Sequence, residues 1–224
     1  MALLGAPVDA SPPSLVLGLS ATTAILFTFQ VRNQISLTRT FSKTASTTLL
    51  SAFVALSQGP SLITAALALG SLGDACLAWD DGDGAFLCGL SSFLVAHLLY
   101  IKAFIDVGGG TERFLADSWR VSLAAVMGLF APALNLLMMP RVGRKLQAPV
   151  AVYSVVIFLM FLSVLAVDEG RIVGGALLFT ASDAILATDR FLVGPSSRHR
   201  VWMQYSVWIL YYSGQFLIAL GVTR

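Results

Sequence analysis

The chain has 224 residues, of which 57% are hydrophobic and 12% charged, with a formal net charge of +2 and a mean hydropathy of +0.82. A soluble domain carries about 25% charged residues, so this composition excludes one and points to a single integral-membrane domain over residues 1–224. So small a net charge argues against nucleic acid as a partner, and the arginines and lysines read instead as topology signals.

The opening MALLGAPVDASPPS has no basic n-region, which disfavours a cleaved secretory signal and predicts that the first apolar run is retained as a helix. Eight apolar segments can be drawn, at 14–31, 44–59, 60–79, 84–105, 118–139, 147–166, 171–188 and 201–221. A helix needs about 20 residues to span the hydrocarbon, so the expected fold is all-α, a polytopic bundle of eight transmembrane helices. The second and seventh segments are short or rich in small polar residues. A seven-helix count with one of them re-entrant therefore stays open. Gly59-Pro60 marks a tight turn between antiparallel helices. Cys76 and Cys88 are expected as free thiols, because such a thiol packs as a small core hydrophobe. Together with two histidines they do not make a zinc site, and no metal or cofactor is implied.

Loop charge sets the orientation. Loops after odd-numbered segments hold Arg32, Arg39, Lys43, Arg141, Arg144, Lys145, Arg190, Arg198 and Arg200; the other side holds Lys102, Arg113, Arg120, Arg171 and Arg224. The positive-inside bias places the first set in the cytosol and both termini outside. The third and seventh segments then run in the same direction. Asp74 and Asp183 each lie about five residues from the cytosolic end, roughly 7–8 Å inside it at 1.5 Å rise per residue. A short echo, GDACLA at 73–78 and SDAILA at 182–187, fits a four-plus-four parallel repeat.

A carboxylate at membrane depth costs a few kcal/mol or more, so it faces the bundle interior and has a task or a partner. Two at matching depth suggest one shared polar cavity around Gly70-Ser71-Leu72-Gly73-Asp74 and Ala181-Ser182-Asp183. On the fourth segment Gly89, Phe93, His97 and Tyr100 share a helix face. That face reads either as a packing stripe or as cavity lining by His97 and Tyr100. Tyr205, Tyr212 and Gln215 lie near one face of the last segment, with Tyr211 adjacent. These tyrosines suit interfacial anchoring; Gln215, Tyr153 and Asn135 suit interhelical bonding as well as ligand contact. Asp189-Arg190 is expected as a solvated pair, Asp80, Asp81 and Asp83 as a wet turn, and Gly108-Gly109-Gly110 as a connector. No GxSxG or HExxH motif supports a serine hydrolase or helical zinc protease.

GDACLAW (73–79), AHLLYIKAF (96–104), PVAVY (149–153), GALLFTASDAILATDRF (175–191) and YYSGQFLI (211–218) resemble, in order, the lysoplasmalogenase family, the YhhN-like multispanning membrane proteins. The resemblance implies an eight-helix hydrolase that cleaves the vinyl ether bond of a lysoplasmalogen. Its products would be a fatty aldehyde and glycerophosphoethanolamine or glycerophosphocholine. It makes Asp74 and Asp183 catalytic and Lys43 the holder of the lipid phosphate. His97, Tyr100, Tyr153, Ser182, Tyr211, Tyr212 and Gln215 complete the expected substrate-binding set. The partners are then a lysophospholipid and the bilayer, that of the endoplasmic reticulum in a eukaryote or the inner membrane in a bacterium. Vinyl ether hydrolysis needs one protonated and one ionised carboxyl group. Ser182 tilts the assignment toward Asp183 as the ionised one.

Two rival readings keep the buried aspartates. A proton-coupled transporter or lipid carrier uses them as relays. An intramembrane aspartyl protease pairs them too, but Ser71 replaces the first glycine of GxGD, and Pro132-Ala133-Leu134 lies between the aspartates rather than after them. A non-catalytic lipid-binding or scaffold protein would not need them.

Overall fold

The computed structural model describes residues 11–223. The start of the opening segment weighed as a signal (residues 1–10) and Arg224 of the charge count lie outside the described residues. The described residues form α-helices and no strand: α1 (Pro12–Thr28), α2 (Leu37–Leu56), α3 (Ser61–Trp79), α4 (Asp83–Val107), α5 (Gly110–Ala116), α6 (Ser118–Met138), α7 (Arg144–Val164), α8 (Gly170–Phe191) and α9 (His199–Val222). Each apolar segment falls on a long helix. The addition is the seven-residue α5 in the connector after Gly108.

Six helices, α3, α4 and α6 to α9, are long and apolar enough to cross a membrane. The protein is thus an integral, multi-pass helical one. The apolar α1 has 17 residues. Helix α2 has 20 but is rich in hydroxyls, of which Ser42, Ser46, Thr47 and Ser51 are buried and bonded inside the bundle. Ser46 donates to the Lys43 carbonyl at 2.6 Å and Ser51 to the Thr64 carbonyl at 2.8 Å. Buried hydroxyls bonded to backbone carbonyls are tolerated in a dry interior, where unpaired ones are not. Ser36 opens α2 by accepting the Arg39 amide hydrogen. At its other end Gln58, at φ +55°, makes the left-handed step that turns the chain into α3.

Helix α3 packs against α2 and α4, and α8 against α9 and α7, while contacts of α4 with α7 and α2 with α9 join the two halves. The closest crossing is at Gly175 and Gly214. A Cβ on either would lie 2.6 Å from the other's carbonyl oxygen, so only glycine lets α8 and α9 meet there. By contrast α6 buries only Arg120 and Met138. It turns Val126, Leu129, Leu136 and Leu137 outward, as a helix bathed in acyl chains does.

Two expectations need correcting. Cys76 and Cys88 are not free thiols. They are joined as a disulfide between α3 and α4, with Cα atoms 6.0 Å apart; antiparallel neighbours meeting through a small residue bring facing turns within bridging reach. A Cβ on Gly89 would sit 2.7 Å from the Leu77 side chain. Asp189 is not solvated with Arg190. It is buried and takes a two-pronged contact from Arg200 at 2.9 and 3.1 Å, while Arg190 pairs with Asp83 at 3.3 Å and lies 3.9 Å from the centre of the Phe86 ring. Arg120, counted above as a topology charge, is 2% exposed. Its guanidinium clasps the carbonyls of Leu165 and Val167 and the carboxylate of Asp117. A buried arginine stays charged and needs such partners.

Candidate active site

The buried face of α3 repeats as Ile63, Ala66, Leu67, Gly70, Ser71 and Asp74, the spacing of a helix stripe that faces neighbours. Asp74 is 1% exposed. Its Oδ1 lies 3.1 Å from the Lys43 ammonium, and its Oδ2 accepts hydrogen bonds from the Thr47 hydroxyl at 2.8 Å and the Tyr211 phenol at 2.7 Å. Lys43 and Thr47 are one turn apart on α2, so both reach the same carboxylate. Tyr211 arrives from α9. A cation and two neutral donors surround this group, which is what an ionised carboxylate in a dry site requires.

Asp183, on α8, has a different neighbourhood. The Tyr153 phenol of α7 hydrogen-bonds its carboxyl group, and no ion pair to it forms among the described residues. Asp74 and Asp183 line one cavity of about 850 Å³ together with Lys43, Tyr153, Ser182 and Tyr211. At its mouth stand Arg32, Arg39, Arg141, Arg190 and Arg200, from the three basic loop regions on one side of the charge grouping above, with Asp81 of the acidic turn between α3 and α4. One wall is apolar, made by Met127, Phe130 and Leu134 of α6 with Val150 and Ile157 of α7.

The remaining expected residues are not among the cavity's lining. His97 is buried with Nδ1 2.5 Å from the Phe93 carbonyl oxygen, and its ring packs on Tyr153 and Phe179 with centroids 5.3 and 4.9 Å away. Tyr100 donates to Gln215 Oε1 at 2.6 Å, both fully inside the core. Tyr212 exchanges a hydrogen bond with Ser20 of α1 at 2.8 Å. These three contacts tie helices together behind the cavity wall. The Ser182 hydroxyl donates to the Val207 carbonyl at 2.9 Å, so the reason given above for an ionised Asp183 falls away. Thr47 was missed. Its signal was the four-residue step from Lys43, legible once α2 faces α3. Trp208, which also lines the cavity, was missed as well.

A buried and a half-buried carboxyl group in unlike surroundings, inside a membrane bundle with a charged mouth and an apolar wall, define a polytopic helical membrane protein built around a polar cavity. The YhhN family model matches residues 38–222, and the chain belongs to the YhhN family. It is 34% identical over 163 residues to Lysoplasmalogenase TMEM86B of Homo sapiens, a match that covers 73% of this chain and 64% of that protein. It is 36% identical over 159 residues to Lysoplasmalogenase TMEM86B of Sus scrofa, covering 71% and 62%. With the Lysoplasmalogenase of Mycobacterium bovis it shares 32% identity over 161 residues, covering 70% and 58%. The chain thus spans less than two-thirds of the length of these curated relatives. No solved structure matches it.

Proposed function

We propose that this protein is a membrane hydrolase that cleaves the vinyl ether bond of lysoplasmalogens to a fatty aldehyde and glycerophosphoethanolamine or glycerophosphocholine. The reading is supported by relatives named lysoplasmalogenase and rests on one geometric observation: Asp74 and Asp183 share a cavity but not a set of partners. Lys43, Thr47 and Tyr211 suit an ionised Asp74. Asp183, touched by a phenol and no cation, is the carboxyl group able to carry a proton. This reverses the tilt drawn from sequence.

In the proposed reaction Asp183 delivers its proton to the β-carbon of the vinyl ether, and the positive charge develops between the α-carbon and the ether oxygen. Asp74 stabilises that oxocarbenium centre and draws a proton from the attacking water. The resulting hemiacetal breaks its carbon–oxygen bond to the glycerol. Asp74 passes the proton it took from water to the departing oxygen, giving a free hydroxyl. The hemiacetal hydroxyl gives its own proton to Asp183 as the aldehyde forms, so both carboxyl groups return to their starting states. Water is the only co-reactant. Tyr153 orients Asp183, and Tyr211 and Thr47 hold Asp74 still through the charge change. The apolar wall of α6 and α7 takes the alkenyl chain.

The wider arrangement belongs to the same proposal. All eight long helices cross the bilayer, with the basic mouth in the cytosol and both termini outside, in the endoplasmic reticulum of a eukaryote or the inner membrane of a bacterium. Contacts of α2 with α9 and α4 with α7 are the pair a four-plus-four repeat would generate. The test is to incubate purified protein with a lysoplasmalogen and with its saturated-ether analogue. Aldehyde is expected from the first alone, and cleavage of both excludes protonation of a double bond. Asp74→Asn and Asp183→Asn should each abolish aldehyde release while the protein remains folded and extractable.

A further inference from the structure

Helix α2 presents Arg39, Lys43 and Thr47 at successive turns, and its lower two steps are spent on Asp74. The ammonium of Lys43, 16% exposed, already has a counter-ion and is poorly placed to hold a second anion. Arg39, one turn nearer the mouth, is in the opposite condition. Its Nη1 donates to the Ala78 carbonyl at 3.2 Å and its Nη2 to the Val31 carbonyl at 3.5 Å, which fixes the plane of the guanidinium. Its Nε is buried and has no partner. Among the described residues Arg39 forms no ion pair, although it lines the cavity beside Arg32, Phe27 and Asp81. Arg190 and Arg200, at the same mouth, are both taken by carboxylates.

A held guanidinium with an unused donor and no carboxylate in contact, Asp81 acting on it only across a distance, is a site for a tetrahedral oxyanion, which its fork matches. The spacing fits one such anion. One helical turn separates Arg39 from Lys43, about 6 Å along the axis. In a lysoplasmalogen the phosphorus lies five bonds from the vinyl ether oxygen, about 6 Å in an extended chain. A vinyl ether placed at Asp74 and Asp183 therefore brings its phosphate level with Arg39. We infer that Arg39 is the phosphate-binding residue of the cavity, taking the headgroup phosphodiester of a lysophospholipid through its free edge. This rests on the lysolipid reading above but not on turnover.

The test measures binding rather than hydrolysis. Isothermal titration of detergent-solubilised protein uses two uncleavable saturated ethers, 1-O-alkylglycerophosphoethanolamine and 1-O-alkylglycerol, which differ by the phosphoethanolamine group. Arg39→Gln should weaken the first by about 10–100-fold, the loss of a charge-assisted hydrogen bond, and leave the second unchanged. Arg39→Lys, which keeps the charge but not the fork, should fall between. A purely structural role through Ala78 and Val31 would weaken both lipids alike and overturn the proposal, as would no change in either. If inorganic phosphate binds with this Arg39 dependence while the lysolipid does not, the site belongs to a free anion and the headgroup assignment is wrong. Aldehyde assayed separately on the wild-type protein decides the hydrolase reading. A Kd that depends on Arg39 without aldehyde would retain the site and reject the reaction.

Discussion

Replacing Lys43 with methionine tests whether this side chain serves Asp74 or the substrate. The two charges are 3.1 Å apart, an attraction of about 5 kcal/mol at an effective dielectric of 20. Removing one partner of a buried pair typically costs about 3–5 kcal/mol, because the other charge is left stranded. The penalty should be asymmetric. Asp74 is 1% exposed and cannot rehydrate, whereas Lys43 at 16% can reach toward the mouth. Lys43→Met should therefore destabilise more than Asp74→Asn, and the double variant should recover most of the loss. In a thermal scan in mild detergent the single lysine variant should melt roughly 6–20 °C lower, at about 2–4 °C per kcal/mol for a chain of this size. Turnover should suffer in kcat, by about 100–1,000-fold as for loss of one preorganised electrostatic contact, with KM little changed. A raised KM with unaltered kcat and melting temperature would mean that the ammonium meets the lipid phosphate instead. That result would refute the counter-ion argument.

Other changes probe the neighbouring parts. Tyr153→Phe removes the single hydrogen bond seen on Asp183 and should lower kcat about 10–100-fold while the thermal midpoint stays put. Arg120→Met strips the Leu165 and Val167 carbonyls of their donor and should cost about 2–4 kcal/mol of stability in denaturant titration, with KM intact in the protein that remains folded. Gly214→Leu drives a side chain into the Gly175 carbonyl and should reduce the yield of folded protein sharply. Gly128→Leu on the lipid side of α6, where a Cβ meets nothing within 4 Å, should be neutral.

The helices were legible because long apolar runs separated by charged loops have few other solutions. That Asp74 and Asp183 line one cavity was legible for a related reason: counting residues to the ends of two parallel helices sets them level with each other. What sequence could not supply was rotation. Whether Lys43 looks at a lipid or at Asp74, and whether Ser182 looks at Asp183 or at the Val207 carbonyl, depends on how helices turn about their own axes against neighbours. Side-chain type says nothing of that. The cysteines failed for the same cause, since only the α3–α4 crossing decides that positions twelve apart face each other. Asp189 failed because charge near a helix end was equated with water, and the burial of Arg120 was not foreseen at all. Each is instead folded back onto protein, Arg120 on backbone carbonyls and Asp189 on Arg200.

Asp74, carried on α3, is reached from α2 and α9, and α9 also meets α1 through Tyr212 with Ser20 and Trp208 with the Ala24 carbonyl. During synthesis the ribosome delivers that ninth helix more than a hundred residues after the carboxylate has entered the bilayer. Until it does, Lys43 and Thr47, made earlier, are the chaperones of the acid, and the finished pocket exists only when the last rod slides home.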